Sequence, residues 1–238
     1  MRSLRIQPAT LAIFLARAVS GGLLLGVACT TQAQVSGNAA LTSDYVWRGS
    51  SQTREEPAVQ AGLKYAHPSG LYASVWGSNV RFKPYNGAHS EFDLAAGWSG
   101  KLAADWALDL YLLRYQYPSA HTDLNWTELN ASLTWRGNYW VALGQSTDAM
   151  ASGTSGTYAL LGARFPFSEG WRMEATVARY VLDRAYARSY THGNAGIVWT
   201  FKPPFEARLT LHATDSAARK LFPGMAGTRV EFAIQASF

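Results

Sequence analysis

The sequence predicts an all-β protein: a transmembrane, antiparallel, up-and-down barrel of twelve strands with both termini on the periplasmic side. Three observations predict it. From Ser36 onward the chain is a series of alternating segments of about ten residues, and a tilted strand of that length crosses the ~30 Å hydrocarbon core of a bilayer. The connections between segments are short and long by turns, as in bacterial barrels, where short turns face the periplasm and strand number is even. Aromatic residues collect beside the short connections, where amphipathic rings sit at headgroup depth.

The leader comes first. Arg2, Arg5 and Arg17 precede the apolar stretch 18–29, and Thr31, Gln32 and Ala33 form a small-x-small site before Gln34. This is the layout of a secretory signal peptide, with cleavage expected after Ala33. Residues 1–33 are then leader and 34–238 the barrel domain. The apolar stretch is too short to span as a helix, and no later stretch offers ~18 consecutive apolar residues. Cys29 as a lipidated N-terminus is disfavoured by Gly26 three places before it. Cleavage removes this cysteine, the only one in the chain, so no disulfide or thiolate chemistry is expected. Of 21 basic residues three are in the leader, leaving 18 against 16 acidic, scattered rather than striped, so no nucleic-acid partner is expected.

The first segment, 36–48, puts Gly37, Ala39, Leu41, Tyr45 and Trp47 on one face and Asn38, Thr42, Asp44 and Arg48 on the other. The second, 58–66, opposes Val59, Ala61, Leu63 and Tyr65 to Gln60 and Lys64. His67, Pro68, Ser69 and Gly70 turn it into the third, 71–80. The rest run 91–98, 106–117, 127–135, 139–146, 158–165, 171–180, 190–201, 205–214 and 229–238. Segment five is ambiguous, because Leu108, Leu110 and Leu112 oppose Tyr111 and Leu113, so both faces are apolar. Boundaries in segments seven and eight are equally soft. Trp98, Trp106, Trp135, Tyr139, Phe165, Trp171, Trp199, Phe201, Phe205 and Phe238 form one aromatic ring beside the short turns; Tyr45, Trp47, Phe92 and Tyr117 are expected to form the other.

The last segment, RVEFAIQASF, sets Val230, Phe232, Ile234, Ala236 and Phe238 against Arg229, Glu231, Gln235 and Ser237. It resembles the terminal strand that the barrel-assembly machinery of Gram-negative bacteria reads, which makes Phe232, Ile234, Ala236 and Phe238 the assembly signal and that machinery an expected partner. A wider resemblance lies near the start. SGNAALTSDYVWRGSSQT (36–53), GLYASVWGSNV (70–80) and EFDLAAGW (91–98) closely resemble the opening of the TorF-type porins of Gram-negative bacteria. The strong match covers about 36–98, and beyond it the likeness is of pattern and total length. Ser50 stands where the family run before Ser-Gln-Thr carries Ile. The resemblance implies an outer-membrane barrel with a transport role and no established substrate.

Function is expected on the inward face. The alternation sends Asp44, Arg48, Lys64, Glu91, Asp93, Glu128, Asn130, Arg136, Arg172, Glu174, Glu206, Arg208, His212, Arg229 and Glu231 there. Both signs occur in similar number, which suits a weakly selective channel for small polar or ionic solutes. Small inward residues, Gly62, Ala95, Gly97, Ala142, Gly144, Gly162 and Ala178, are expected to leave a path. Strand closure brings Asp44 toward Arg229 and Arg48 toward Glu231. His192 and His212, with Tyr190 and Asp215 nearby, are the candidates for an outer-membrane enzyme, but no Gly-x-Ser-x-Gly, His-Glu-x-x-His or paired-Asp motif accompanies them. No catalytic residue, metal or cofactor is expected. A non-conducting structural or adhesive barrel is the third class. Membrane lipid and small solutes complete the expected partners, and oligomeric state is not legible.

Overall fold

The computed structural model describes residues 33–238, so the expected leader lies outside the described residues apart from Ala33. Twelve antiparallel strands close a single barrel. They are β1 (Gln34–Thr42), β2 (Ala58–Ala66), β3 (Leu71–Asn79), β4 (Ser90–Lys101), β5 (Trp106–Gln116), β6 (Trp126–Trp135), β7 (Tyr139–Ser146), β8 (Gly156–Ser168), β9 (Trp171–Leu182), β10 (Tyr190–Lys202), β11 (Phe205–Thr214) and β12 (Arg229–Ser237). Each strand pairs with its neighbours in sequence, and β1 pairs with β12 in the register Asn38↔Ser237 to Thr42↔Ala233, which closes the seam. Closure matters because a bilayer offers no partner for an open edge.

Period-2 alternation sorts the side chains. Leu41, Val59, Leu63, Val75, Leu94, Leu129, Val141, Leu161, Val177, Ile197, Leu209 and Phe232 are outward and exposed, the apolar belt that a hydrocarbon core requires. In β5 the ambiguity resolves with Leu110 and Leu112 outward and Leu113 buried inside. β8 is longer at both ends than 158–165. Beside the short turns the aromatic ring is nearly continuous: Trp106 lies 6.3 Å from Trp135, Trp135 5.5 Å from Tyr139, and Tyr139 6.0 Å from Phe165. Trp171 and Trp199 stack at 5.3 Å, and Trp199 meets Phe201 at 5.4 Å.

The main departure from the sequence reading is segment one. β1 stops at Thr42, and the chain folds into the barrel as a small hairpin whose arms are Val46–Trp47 and Ser50–Ser51. Arg48 and Gly49 form its tip with φ of 46° and 83°. Two successive positive φ values make the tight hairpin turn that Gly favours. Tyr45 and Trp47 therefore sit in the interior, and Tyr117 packs against the same cluster, so of the expected second ring only Phe92 faces outward.

Candidate functional site

The interior is organised around this hairpin, which spans the lumen at the end of the long loops. On one side, a Cβ at Gly49 would lie 2.7 Å from Thr214 and 2.8 Å from His192, so the tip is pressed against β10 and β11. On the other, Arg48 Nη1 and Nη2 donate to Glu128 Oε2 and Oε1 at 2.9 and 2.6 Å, a bidentate pair with β6. Both side chains are fully buried. The guanidinium lies over Tyr158 at 3.9 Å and over Trp47 and Tyr180 at 4.7 Å each. Asp44 anchors the base of the hairpin: it accepts from Ser51 Oγ at 2.5 Å and Thr53 Oγ1 at 3.0 Å, and Arg229 Nη1 lies 3.3 Å from its Oδ2. Arg48 thus pairs with Glu128 and not with Glu231, because it sits at a turn that points away from the seam.

The remaining charges separate into two walls. On β4 to β6, Glu91, Asp93, Asp109 and Glu128 face inward and are buried. On β8 to β12, Arg164, Arg172 and Arg208 face inward and are held by Glu174 and Glu206, while Arg229 faces Asp44 and Glu55. Glu174 Oε1 accepts from Arg164 Nε and Arg172 Nε at 2.9 and 2.8 Å, and its Oε2 accepts from Arg208 at 2.5 Å. Arg172 also grips Glu206 in a bidentate pair at 2.7 and 2.8 Å. Such short, charge-assisted bonds fix the arginines against the wall. Lys64 on β2 is inward, with Nζ 3.4 Å from the centre of the Tyr72 ring.

Two cavities lie inside the barrel. One, about 100 Å³, lies against β1 to β8 and includes Asn38, Lys64, Tyr72, Trp76, Asp93, Asp109, Tyr111 and Asn130 in its wall. The other, about 70 Å³, lies between the hairpin base and the arginine wall, beside Gln60, Asn194, Arg208, His212 and Glu231. The small inward residues do not simply leave open space. A Cβ at Gly162 would fall 2.0 Å from the Trp140 indole, so that glycine seats an inward ring, whereas one at Gly97 would meet Leu110 O and then Tyr111 Cβ at 2.5 Å, so that glycine admits the backbone of the neighbouring strand.

Arg136 departs from the inward set: it occupies the β6–β7 turn at φ 50°, exposed, with Nε 3.2 Å from Asp105 Oδ2. A turn has no inside face, so alternation does not apply to it. Asp109 and Arg164 join the interior although the sequence reading passed them over. Arg164 is two residues beyond inward Gly162, a signal hidden by the soft assignment of segment eight. The two histidines do face inward but take separate partners, His192 Nε2 3.0 Å from Tyr158 Oη and His212 Nε2 2.9 Å from Glu231 Oε2. Asp215 lies near His192 as expected, but its carboxylate accepts from Thr191 N and Ala218 N, capping the short helix α1 (Ser216–Leu221). Phe232, Ile234 and Ala236 point outward on β12.

In sequence, no curated protein matches. In fold, the chain is similar to the KdgM porin in complex with disordered oligogalacturonate, with TM-score 0.55 and 8% identity over 87% of this chain and 99% of that one. It is similar also to the NanC porin, with TM-score 0.54 and 11% identity over 86% of this chain and 99% of that one. The Gcw_chp family, bacterial proteins of unknown function, matches residues 27–238, and the chain belongs to that family.

Proposed function

We propose that the protein is a narrow, weakly selective outer-membrane channel for small polar or ionic solutes, with both termini and the short turns in the periplasm. The observation that carries this reading is the contrast between the two surfaces of the barrel. The outside is an apolar belt with an aromatic ring at its short-turn end; the inside holds two cavities whose linings mix polar and apolar side chains, with an acid-rich wall on β4 to β6 and arginines paired with glutamates on β8 to β12. An acidic wall facing an arginine wall makes a transverse field, which orients a passing solute without excluding either sign. The inward hairpin is the constriction. The KdgM and NanC folds support a porin reading, as does the resemblance of 36–98 to TorF-type porins. At 8–11% identity the oligogalacturonate of KdgM does not carry over to this chain.

The test is planar-bilayer recording of the purified, folded protein. Small, nearly ohmic steps are expected. The double substitution E128Q/E174Q unmasks Arg48 on one side and the arginine trio on the other, so ion preference should move toward anions. Absence of conductance across several salts, or unchanged reversal potentials at normal conductance, overturns the reading.

A further inference from the structure

The larger cavity contains a carboxyl group whose side-chain partner is another acid, Glu91, and which has no cationic partner among the described residues. Asp93 is 2% exposed and lines the cavity, yet neither of its oxygens accepts a hydrogen bond from a basic, hydroxyl or amide group. The ionisable side chain in contact with it is another acid, Glu91. Elsewhere on the acidic wall Arg48 neutralises Glu128, Asp109 accepts from Tyr72 Oη at 2.8 Å and shares the cavity with Lys64, and Glu91 accepts from Tyr117 Oη at 3.0 Å. A buried carboxylate without a donor is costly, and such groups in folded proteins are normally matched by a partner.

The surroundings of Asp93 are aromatic. Across the ladders it is directly opposite Trp76 on β3 and Tyr115 on β5, and both rings point inward. Tyr45 packs edge-on against Trp76 at 5.4 Å. Tyr111, Leu113 and Leu160 complete an apolar wall. Ring faces attract a cation within about 6 Å, most strongly when it is desolvated. Elsewhere in this cavity the arrangement already holds an ammonium, since Lys64 lies over Tyr72.

Resting on the channel reading, we infer that this cavity is a binding subsite for a compact organic ammonium ion, with Asp93 as counter-charge and Trp76 and Tyr111 packed on its alkyl groups. An anionic acid would meet like charge from Asp93 and Glu91, and a neutral sugar, although its hydroxyls can donate to the carboxylate, would leave the charge of that acidic pair unmatched. A small amine bearing methyl or methylene groups satisfies both the charge and the apolar rings.

The experiment titrates the refolded full-length barrel in detergent micelles with choline chloride, read by tryptophan fluorescence, against 3,3-dimethyl-1-butanol, its neutral carbon isostere. Choline should bind saturably and at least tenfold more tightly than the isostere. D93N should weaken choline at least tenfold, while E56Q, at an exposed acid outside the barrel, should not change it. Should D93N fail to fold, the isostere comparison on the unsubstituted protein stands alone. Equal binding of the two compounds, or binding indifferent to D93N in a folded variant, overturns the inference. Conductance in potassium chloride without choline binding removes the subsite and leaves the channel; choline binding without conductance does the reverse.

Discussion

Arg48, at the tip of the inward hairpin, and Glu128, on the far wall, form a fully buried bidentate pair that ties one side of the lumen to the other. The two residues lie 80 positions apart in the chain. The pair fixes the hairpin in the lumen, since Arg48 has no second acid within salt-bridge distance among the described residues. R48M should therefore strand Glu128 as an uncompensated buried charge and cost about 3–5 kcal/mol. R48M/E128M should regain most of that loss, because a buried pair is often replaceable by apolar groups. Urea unfolding in detergent measures both. In bilayers the double variant should conduct more than the parent, because the hairpin tip loses its tie to β6; equal conductance would show that this tie does not set the constriction.

Lipid-facing and inward positions should differ in tolerance. Leu209 is outward and 53% exposed, whereas Thr210 lines the smaller cavity. Leu209→Arg should cost about 2–4 kcal/mol near the bilayer midplane and Thr210→Arg far less. Leu133 and Ser132 make the same contrast on β6, but Ser132 is packed at 7% exposure and an arginine there meets crowding as well. The β11 pair is thus the cleaner test, read by folding into liposomes of known thickness. Equal tolerance at 209 and 210 would contradict the sidedness of β11.

These two cases show what the sequence can and cannot disclose. Strand number, sidedness and the aromatic ring follow from alternation and turn chemistry, which are local, so eleven of the twelve strands lie close to their expected segments. Segment one misled because Tyr45 and Trp47 continue the apolar alternation of Gly37, Ala39 and Leu41 across the point where the chain leaves the sheet. The signal against continuing was present in Ser43-Asp44 and in Arg48-Gly49-Ser50-Ser51, a density of turn residues that a central strand rarely carries. Inward direction was legible for most charged residues, but their partners were not. Which acid meets Arg48 depends on how far the hairpin reaches, and no spacing encodes that. Likewise, Gly162 reads as empty volume until Trp140 on the neighbouring strand is seen to occupy it.

That occupancy gives its own prediction. Gly162→Ala places a Cβ 2.0 Å from the Trp140 ring, a distance no rotamer tolerates, so the indole must move. The cost should be about 1–3 kcal/mol, the usual range for overpacking. Combining it with Trp140→Leu should give a double-mutant coupling that offsets part of the loss, since the smaller side chain vacates the space. Thermal unfolding of the four proteins reads the coupling, and additivity would mean that the glycine serves something other than the ring.

The seam supplies the last prediction. Gly37 N donates to Phe238 O at 2.6 Å and Phe238 N donates to Gly37 O at 2.9 Å, extending the β1–β12 ladder by one pair beyond Asn38↔Ser237. The Phe238 ring lies over Gly37, where an added Cβ would come within 2.7 Å of it. Two roles for this ring make different predictions. As the aromatic mark that the assembly machinery reads, it must be present before closure, so Phe238→Ala should leave unassembled protein in the periplasm, while Gly37→Val should assemble at near-normal levels. As a seam contact alone, it should make the two substitutions equivalent, because each disturbs the same packing in the finished barrel. We expect the first pattern, since the ring is 66% exposed and adds little to interior packing. Outer-membrane fractionation and heat-modifiable migration of both variants decide between the two roles, and normal assembly of Phe238→Ala would exclude the signal.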